Sequence, residues 1–204
     1  MIIGLDHLSL NFVQKKKFDR QIFNYKKIYE VKSLNHKEKN KFISKKIKNH
    51  CINFFTTNKN LPPIEKTYYG KNKSNAKNIK IKKNEIFLSV ISKSKEFLFW
   101  KKVFNFRRRK NKINFFSLYD QKKYKFYFDQ KFISKDYLDF IGYTSICFIS
   151  NDINKVFKSC KEFNIEITRI FNYEINQKKM KIFFFRSPGG LIFEIIQYIL
   201  WETK

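Results

Sequence analysis

Glu194 lies inside an apolar run, Leu191 to Ile196, on the strand face it shares with Ile192 and Ile196. An ionised carboxylate buried there without a partner costs several kcal/mol, so the position requires something positive. A metal ion is one candidate, and one of the chain's 44 basic residues is the other. Near the opposite end, Asp6-His7 opens the stretch Gly4 to Phe12. A histidine there is either a metal ligand or a strand residue bonded to a backbone carbonyl. His36 and His50 stand among lysines and read as solvated surface residues. Cys51, Cys147 and Cys160 include no C-x-x-C pair, so neither a disulfide framework nor a zinc knuckle is expected, and a reducing cytoplasm fits.

The chain of 204 residues is 43% hydrophobic, which suits one domain or two small ones despite a 30% charged fraction. A net charge of +27 would draw polyanions. The lysines are scattered through every segment, however, and Asn, Ile and Phe are enriched with them while alanine occurs once, at Ala76, which reads as compositional drift. One local cluster, Arg107 to Lys110 beside Phe104 and Phe106, could track a phosphate backbone and stack bases, making nucleic acid a less favoured partner. No window approaches the roughly 18 apolar residues of a membrane span, so a protein with no membrane partner is expected.

The elements that must position these groups follow from periodicity. Gly4 to Phe12 reads as a strand, residues 17 to 30 as a helix, Lys41 to Ile47 as a short apolar piece, and Cys51 to Phe55 as a strand. The prolines, glycine and charge run of Asn58 to Lys83 read as a connector. Beyond it come a strand at Ile86 to Ile91, a helix at Glu96 to Phe104, and strands at Ile113 to Leu118 and Tyr124 to Phe128. After a second connector, Tyr143 to Ile149 is a strand, Asp152 to Phe163 a capped helix, and Ile165 to Tyr173 a strand. The last two strands, Ile182 to Phe185 and Leu191 to Ile196, form a hairpin around Arg-Ser-Pro-Gly-Gly. The pattern is α+β, a βαβββ unit started three times, near residues 5, 85 and 143. This predicts an N-terminal module over 1–57, a connector over 58–83, and a two-module domain over 84–204.

The repeated unit, the Asp6-His7 opening and the ending Arg186-Ser187-Pro188-Gly189-Gly190-Leu191-Ile192-Phe193-Glu194-Ile195 resemble the vicinal oxygen chelate superfamily, the glyoxalase and extradiol dioxygenase group. Phe185-Arg186, Pro188-Gly189-Gly190 and Phe193-Glu194 are most similar to the closing motif of its ring-cleaving, hydroquinone-type dioxygenases. The resemblance implies a half-barrel of paired βαβββ modules around a mononuclear metal, held by two histidines and a glutamate. On that pattern His7 and Glu194 are the first and third ligands, and Ser145 stands at the second. Cys147, one pleat on, would supply a thiolate and favour zinc. The tyrosine and arginine that the family uses toward a phenolic substrate correspond to Phe184 and Gln177. A lesser likeness, to the 4-hydroxyphenylpyruvate dioxygenases, sets their histidine ligands at Glu85 and Ser145.

These readings imply a metal-dependent ring-cleaving oxidoreductase acting on a hydroquinone or catechol through Fe(II), another divalent metal or none, or an inactive relative kept for binding. An odd module count implies a homodimer, because one sheet edge must be covered or paired.

Overall fold

The computed structural model describes residues 1–12, 26–45, 47–57, 61–70, 74–131 and 135–199. Among the described residues, thirteen strands form two sheets, with two α-helices beside them. The first three strands are β1 (Ile2–Asn11), β2 (Lys26–Leu34) and β3 (Asn49–Thr56), with a 3-10 helix at Lys37–Phe42 between the last two. Next come β4 (Ile64–Tyr68), β5 (Ile79–Lys82), β6 (Glu85–Val90), α1 (Lys93–Phe104), β7 (Arg108–Arg109), β8 (Lys112–Ser117) and β9 (Lys122–Gln130). The chain closes with β10 (Gly142–Ser150), α2 (Ile153–Lys161), β11 (Phe171–Ile175), β12 (Lys178–Arg186) and β13 (Ile192–Tyr198).

The large sheet runs β11-β12-β13-β10-β1-β4-β3-β2 and the small one β5-β6-β9-β8-β7. Three units repeat one order, with each unit's last strand parallel to its first: β4 beside β1, β9 beside β6, β13 beside β10. The first and third units join through antiparallel β1 and β10, so the half-barrel is built from the two ends of the chain.

The predicted helix over 17–30 is corrected at its end. Residues 26–30 belong to β2, where Tyr29 and Val31 alternate inward between exposed lysines and Glu30, a period of two rather than 3.6. The rest of that expectation lies outside the described residues. The segment read as a connector carries β4 and β5. Ile64, Glu65, Lys66 and Thr67 of β4 are all buried, because the strand is sandwiched between β1 and β3. Prolines just before it hid a five-residue strand too short to declare its own period. The expected strand from Ile165 begins only at Phe171, apart from a bridge between Ile167 and Phe185.

Two cores result. Between the sheets, Trp100 is fully buried and meets the rings of Phe126, Phe128, Phe148 and Phe193 at 5.0 to 5.9 Å. Such a cluster adds roughly 0.5–1.5 kcal/mol per ring pair beyond area burial. Ser92 caps α1 through Lys95 N, and Asp152 caps α2 through Lys155 N. The opposite face of the large sheet, with Phe42, Ile52, Phe184, Ile192 and Ile196, lines the inside of the half-barrel. Glu194 sits on that inner face between Ile192 and Ile196.

Candidate metal centre

Consecutive residues of a regular strand point to opposite faces. Between Leu5 and His7 the register of β1 against β10 slips, and Asp6 and His7 both line one cavity inside the half-barrel. β4 brings Glu65 beside Ser9 of β1, and β13 brings Glu194 beside Cys147 of β10, which in turn faces His7. Three strands from the two modules thus deliver their polar side chains to one place.

His7 Nδ1 is 2.7 Å from Asp6 Oδ2, and the Tyr198 hydroxyl donates to Asp6 Oδ1 at 2.8 Å. With Nδ1 held by Asp6, Nε2 is the ring nitrogen that faces the cavity. Nε2 is buried without a hydrogen-bond partner, 3.6 Å from Glu194 Oε2 and 3.7 Å from Glu65 Oε2. One imidazole nitrogen and two carboxylate oxygens within 4.8 Å of one another, backed by a carboxylate on the far side of the ring, form a donor set that fits a divalent cation. Glu65 was missed from the sequence. Its signal was a lone acid between apolar Ile64 and Tyr68, masked by Pro62-Pro63.

Electrostatics match this geometry. Burial disfavours a charged His7, but Cys147, Glu65 and Asp6 outweigh it and hold the imidazole well above its ordinary 6.5. Burial, with Glu194 adding to it, raises Glu65 despite the opposing pull of His7. Burial pushes the Cys147 thiol up as well, away from the thiolate a metal would require. A second cluster, Asp6, His7 and Cys147, also lies within 4.8 Å. There Nδ1 and Asp6 already hold each other, so the Nε2 side is the better metal face.

The other sequence candidates lie elsewhere. Ser145 is fully buried on β10, opposite Ser9 and Ile192, and its Oγ has no hydrogen-bond partner, but it does not line the cavity. The position facing both His7 and Glu194 belongs to Cys147. Phe184 is buried in the barrel wall, with Phe42 at 6.4 Å and Phe171 at 6.3 Å. Gln177 is exposed in the β11–β12 turn with φ 63°. Glu85 bonds Lys125 and Tyr127 on the small sheet. His36 caps the 3-10 helix by accepting from Glu38 N and stacks on Phe171 at 4.0 Å. His50, expected at the surface, is instead buried against Tyr69, its two ring nitrogens unpaired and its pKa lowered to about 3 by burial and by Lys39. Arg108 lies over Phe97 at 4.3 Å, while Phe104 and Phe106 pack in or against the core, so those two rings are not presented for base stacking.

No protein-family model matches the sequence, and no curated protein matches it. Solved structures do. Two mutant forms of glyoxalase I from Zea mays superpose with TM-scores of 0.60 and 0.58, at 13% and 12% identity. The matches cover 95% of this chain in both cases, and 92% and 93% of those chains. At such identity the likeness is one of fold. With its first and third units joined through β1 and β10 around an acid-lined cavity, the chain has the glyoxalase, or vicinal oxygen chelate, fold.

Proposed function

We propose that the chain is a metal-dependent enzyme of this fold, in which His7, Glu65 and Glu194 hold one divalent cation beside a small oxygen-bearing substrate. The observation that carries the reading is the orphaned His7 Nε2, aimed between two carboxylates that it does not hydrogen-bond. The acids around His7 favour a proton on it in the metal-free protein, and a divalent cation taking that proton's place would meet the Nε2 lone pair and both carboxylates at once. When bound, such a metal acts as a Lewis acid on a substrate oxygen. The chain's own residues do the rest. Asp6 fixes the ring orientation of His7, Tyr198 holds Asp6, and the packed wall of Ile182, Ile196 and Phe54 limits water at the site.

Ring cleavage of a catechol or hydroquinone is the less supported version. The donor set has one histidine and two glutamates rather than two histidines and one. Phe184 and Gln177 lie outside the cavity lining.

Isothermal titration of metal-free protein with Mn(II), Zn(II) and Fe(II), the last without air, tests the reading. One equivalent is expected to bind the wild type, with at least tenfold loss in Glu65→Gln and in Glu194→Gln. A wild type that binds none of the three would overturn it and leave the inactive binding module.

A further inference from the structure

Lys39 sits in the 3-10 helix Lys37–Phe42 and is 3% exposed, yet its side chain lines the same cavity as His7, Glu65 and Glu194. Its ammonium lies 5.4 Å from the Tyr173 ring centre and 5.1 Å from that of Phe184. Among the described residues no hydrogen bond or ion pair reaches it. A buried ammonium needs acceptors, and aromatic faces replace only part of its lost hydration. Burial disfavours the charge, but Tyr69, Tyr173, Glu194 and Glu65 outweigh it and hold Lys39 above the ordinary lysine range. The two glutamates act on Lys39 from a distance, and a cation between them would draw off that stabilising field.

We propose that Lys39 is the recognition group for an anion: the ligand is a small carboxylate whose negative end meets the Lys39 ammonium while a second oxygen faces His7, Glu65 and Glu194. This rests on the metal reading above. It deepens it by naming the charge of the ligand. A two-carbon acid bearing a neighbouring oxygen is the smallest ligand of this kind. The wall around Lys39 is otherwise aromatic or aliphatic, with Tyr173, Ile175 and Met180, so it offers no second cation of its own. Lys178, exposed, is the only other lysine or arginine among the described lining residues.

Oxalate is the probe. It is titrated into wild type, Lys39→Met and Lys39→Arg, each first loaded with Mn(II) under the same calorimetric conditions, with oxamide as a neutral probe of the same shape. Oxalate is expected to bind the wild type at least tenfold more tightly than Lys39→Met, to recover in Lys39→Arg, and to exceed oxamide by a similar factor. Equal oxalate affinity in wild type and Lys39→Met, with Mn(II) bound by both, would overturn the anion site and leave the metal reading standing. If no form binds Mn(II), the metal reading fails, and oxalate is titrated into the metal-free proteins. Lys39-dependent binding there still supports the anion site, and its absence overturns it. Should Lys39→Met not fold, the comparison of oxalate with oxamide on wild type decides, equal affinity counting against the proposal.

Discussion

At the scale of single residues, the site depends on which face of the His7 ring is free. Asp6 sets this, so Asp6→Asn, which keeps the shape and loses the charge, is expected to weaken divalent metal binding about 10–100-fold, the usual effect of removing a ligand's outer carboxylate partner. Calorimetry reads it, and an unchanged affinity would mean that Asp6 only packs. Metal must also displace protons from His7 and Glu65, which the acidic surroundings and burial, respectively, hold above their ordinary values. Affinity should therefore rise with pH, by about tenfold per unit for each proton released. Titrations in buffers of different ionisation heat count those protons, and a pH-independent affinity would contradict this. His7 and Glu194 were legible in the sequence because each breaks a local pattern. Glu65 and Lys39 were not. One stands behind two prolines and the other is one lysine among many, and only the fold shows which lysine is buried.

Among the elements, α1 is tied to the turn that opens β13. Glu96, fully buried on α1, accepts from Trp100 Nε1 at 2.8 Å and from Gly189 N at 2.7 Å. Ile91 N also donates to Gly189 O at 3.1 Å. A Cβ at Gly189 would collide with the Glu96 carboxylate. Gly189→Ala is expected to destabilise the fold by about 1–3 kcal/mol, and the cost should shrink in a Glu96→Ala background, where the two changes are coupled. Additive costs in denaturant melts would sink the contact as the cause. Burial lifts Glu96 from its ordinary 4.5 to about 7, against the pull of its hydrogen bonds. The folded state then holds a proton that the unfolded state has lost, so stability falls as pH rises from about 4.5 to about 7 and levels off above. The fall is about 3 kcal/mol at 1.36 kcal/mol per unit. Glu96→Gln should flatten that stretch of the stability profile, and a profile identical to wild type would refute it. The Arg-Ser-Pro-Gly-Gly turn itself was plain in the sequence, but its partner is 93 residues away in the chain and left no local trace.

For the whole molecule, the second and third units were largely readable from strand and helix periods, whereas β2 and β4 of the first unit and the pairing of units were not. The sequence reading grouped the second and third units. The structure pairs the third with the first, because β1 and β10 present the complementary buried faces. In the second unit, β5 covers the β6 edge from within the chain. Three of the four edges left among the described strands are basic, through Lys80 and Lys82 on β5, Arg108 and Arg109 on β7, and Lys26, Lys27 and Lys32 on β2, while β11 carries Glu174 and no lysine or arginine. Charge on open edges opposes strand-to-strand association, which gives part of the +27 charge a structural use. Replacing Lys80 and Lys82 together by threonine leaves a β-prone edge, and light scattering should then show self-association beyond that of wild type. An unchanged mass would mean that the edge is guarded by other means. No helix among the described residues is long and apolar enough to cross a membrane.

The central claim is a cation held between His7 Nε2, Glu65 and Glu194, on the side of the ring away from Asp6. Absorption spectra of Co(II)-loaded wild type, Glu194→Gln and Cys147→Ser test it most directly, since a cobalt–thiolate bond has an intense charge-transfer band that nitrogen and oxygen donors lack. The expected result is stoichiometric cobalt in wild type without that band, an unchanged spectrum in Cys147→Ser, and loss of bound cobalt in Glu194→Gln. A thiolate band that vanishes in Cys147→Ser, with cobalt still bound by Glu194→Gln, would contradict it and move the metal to the cluster of Asp6, His7 and Cys147.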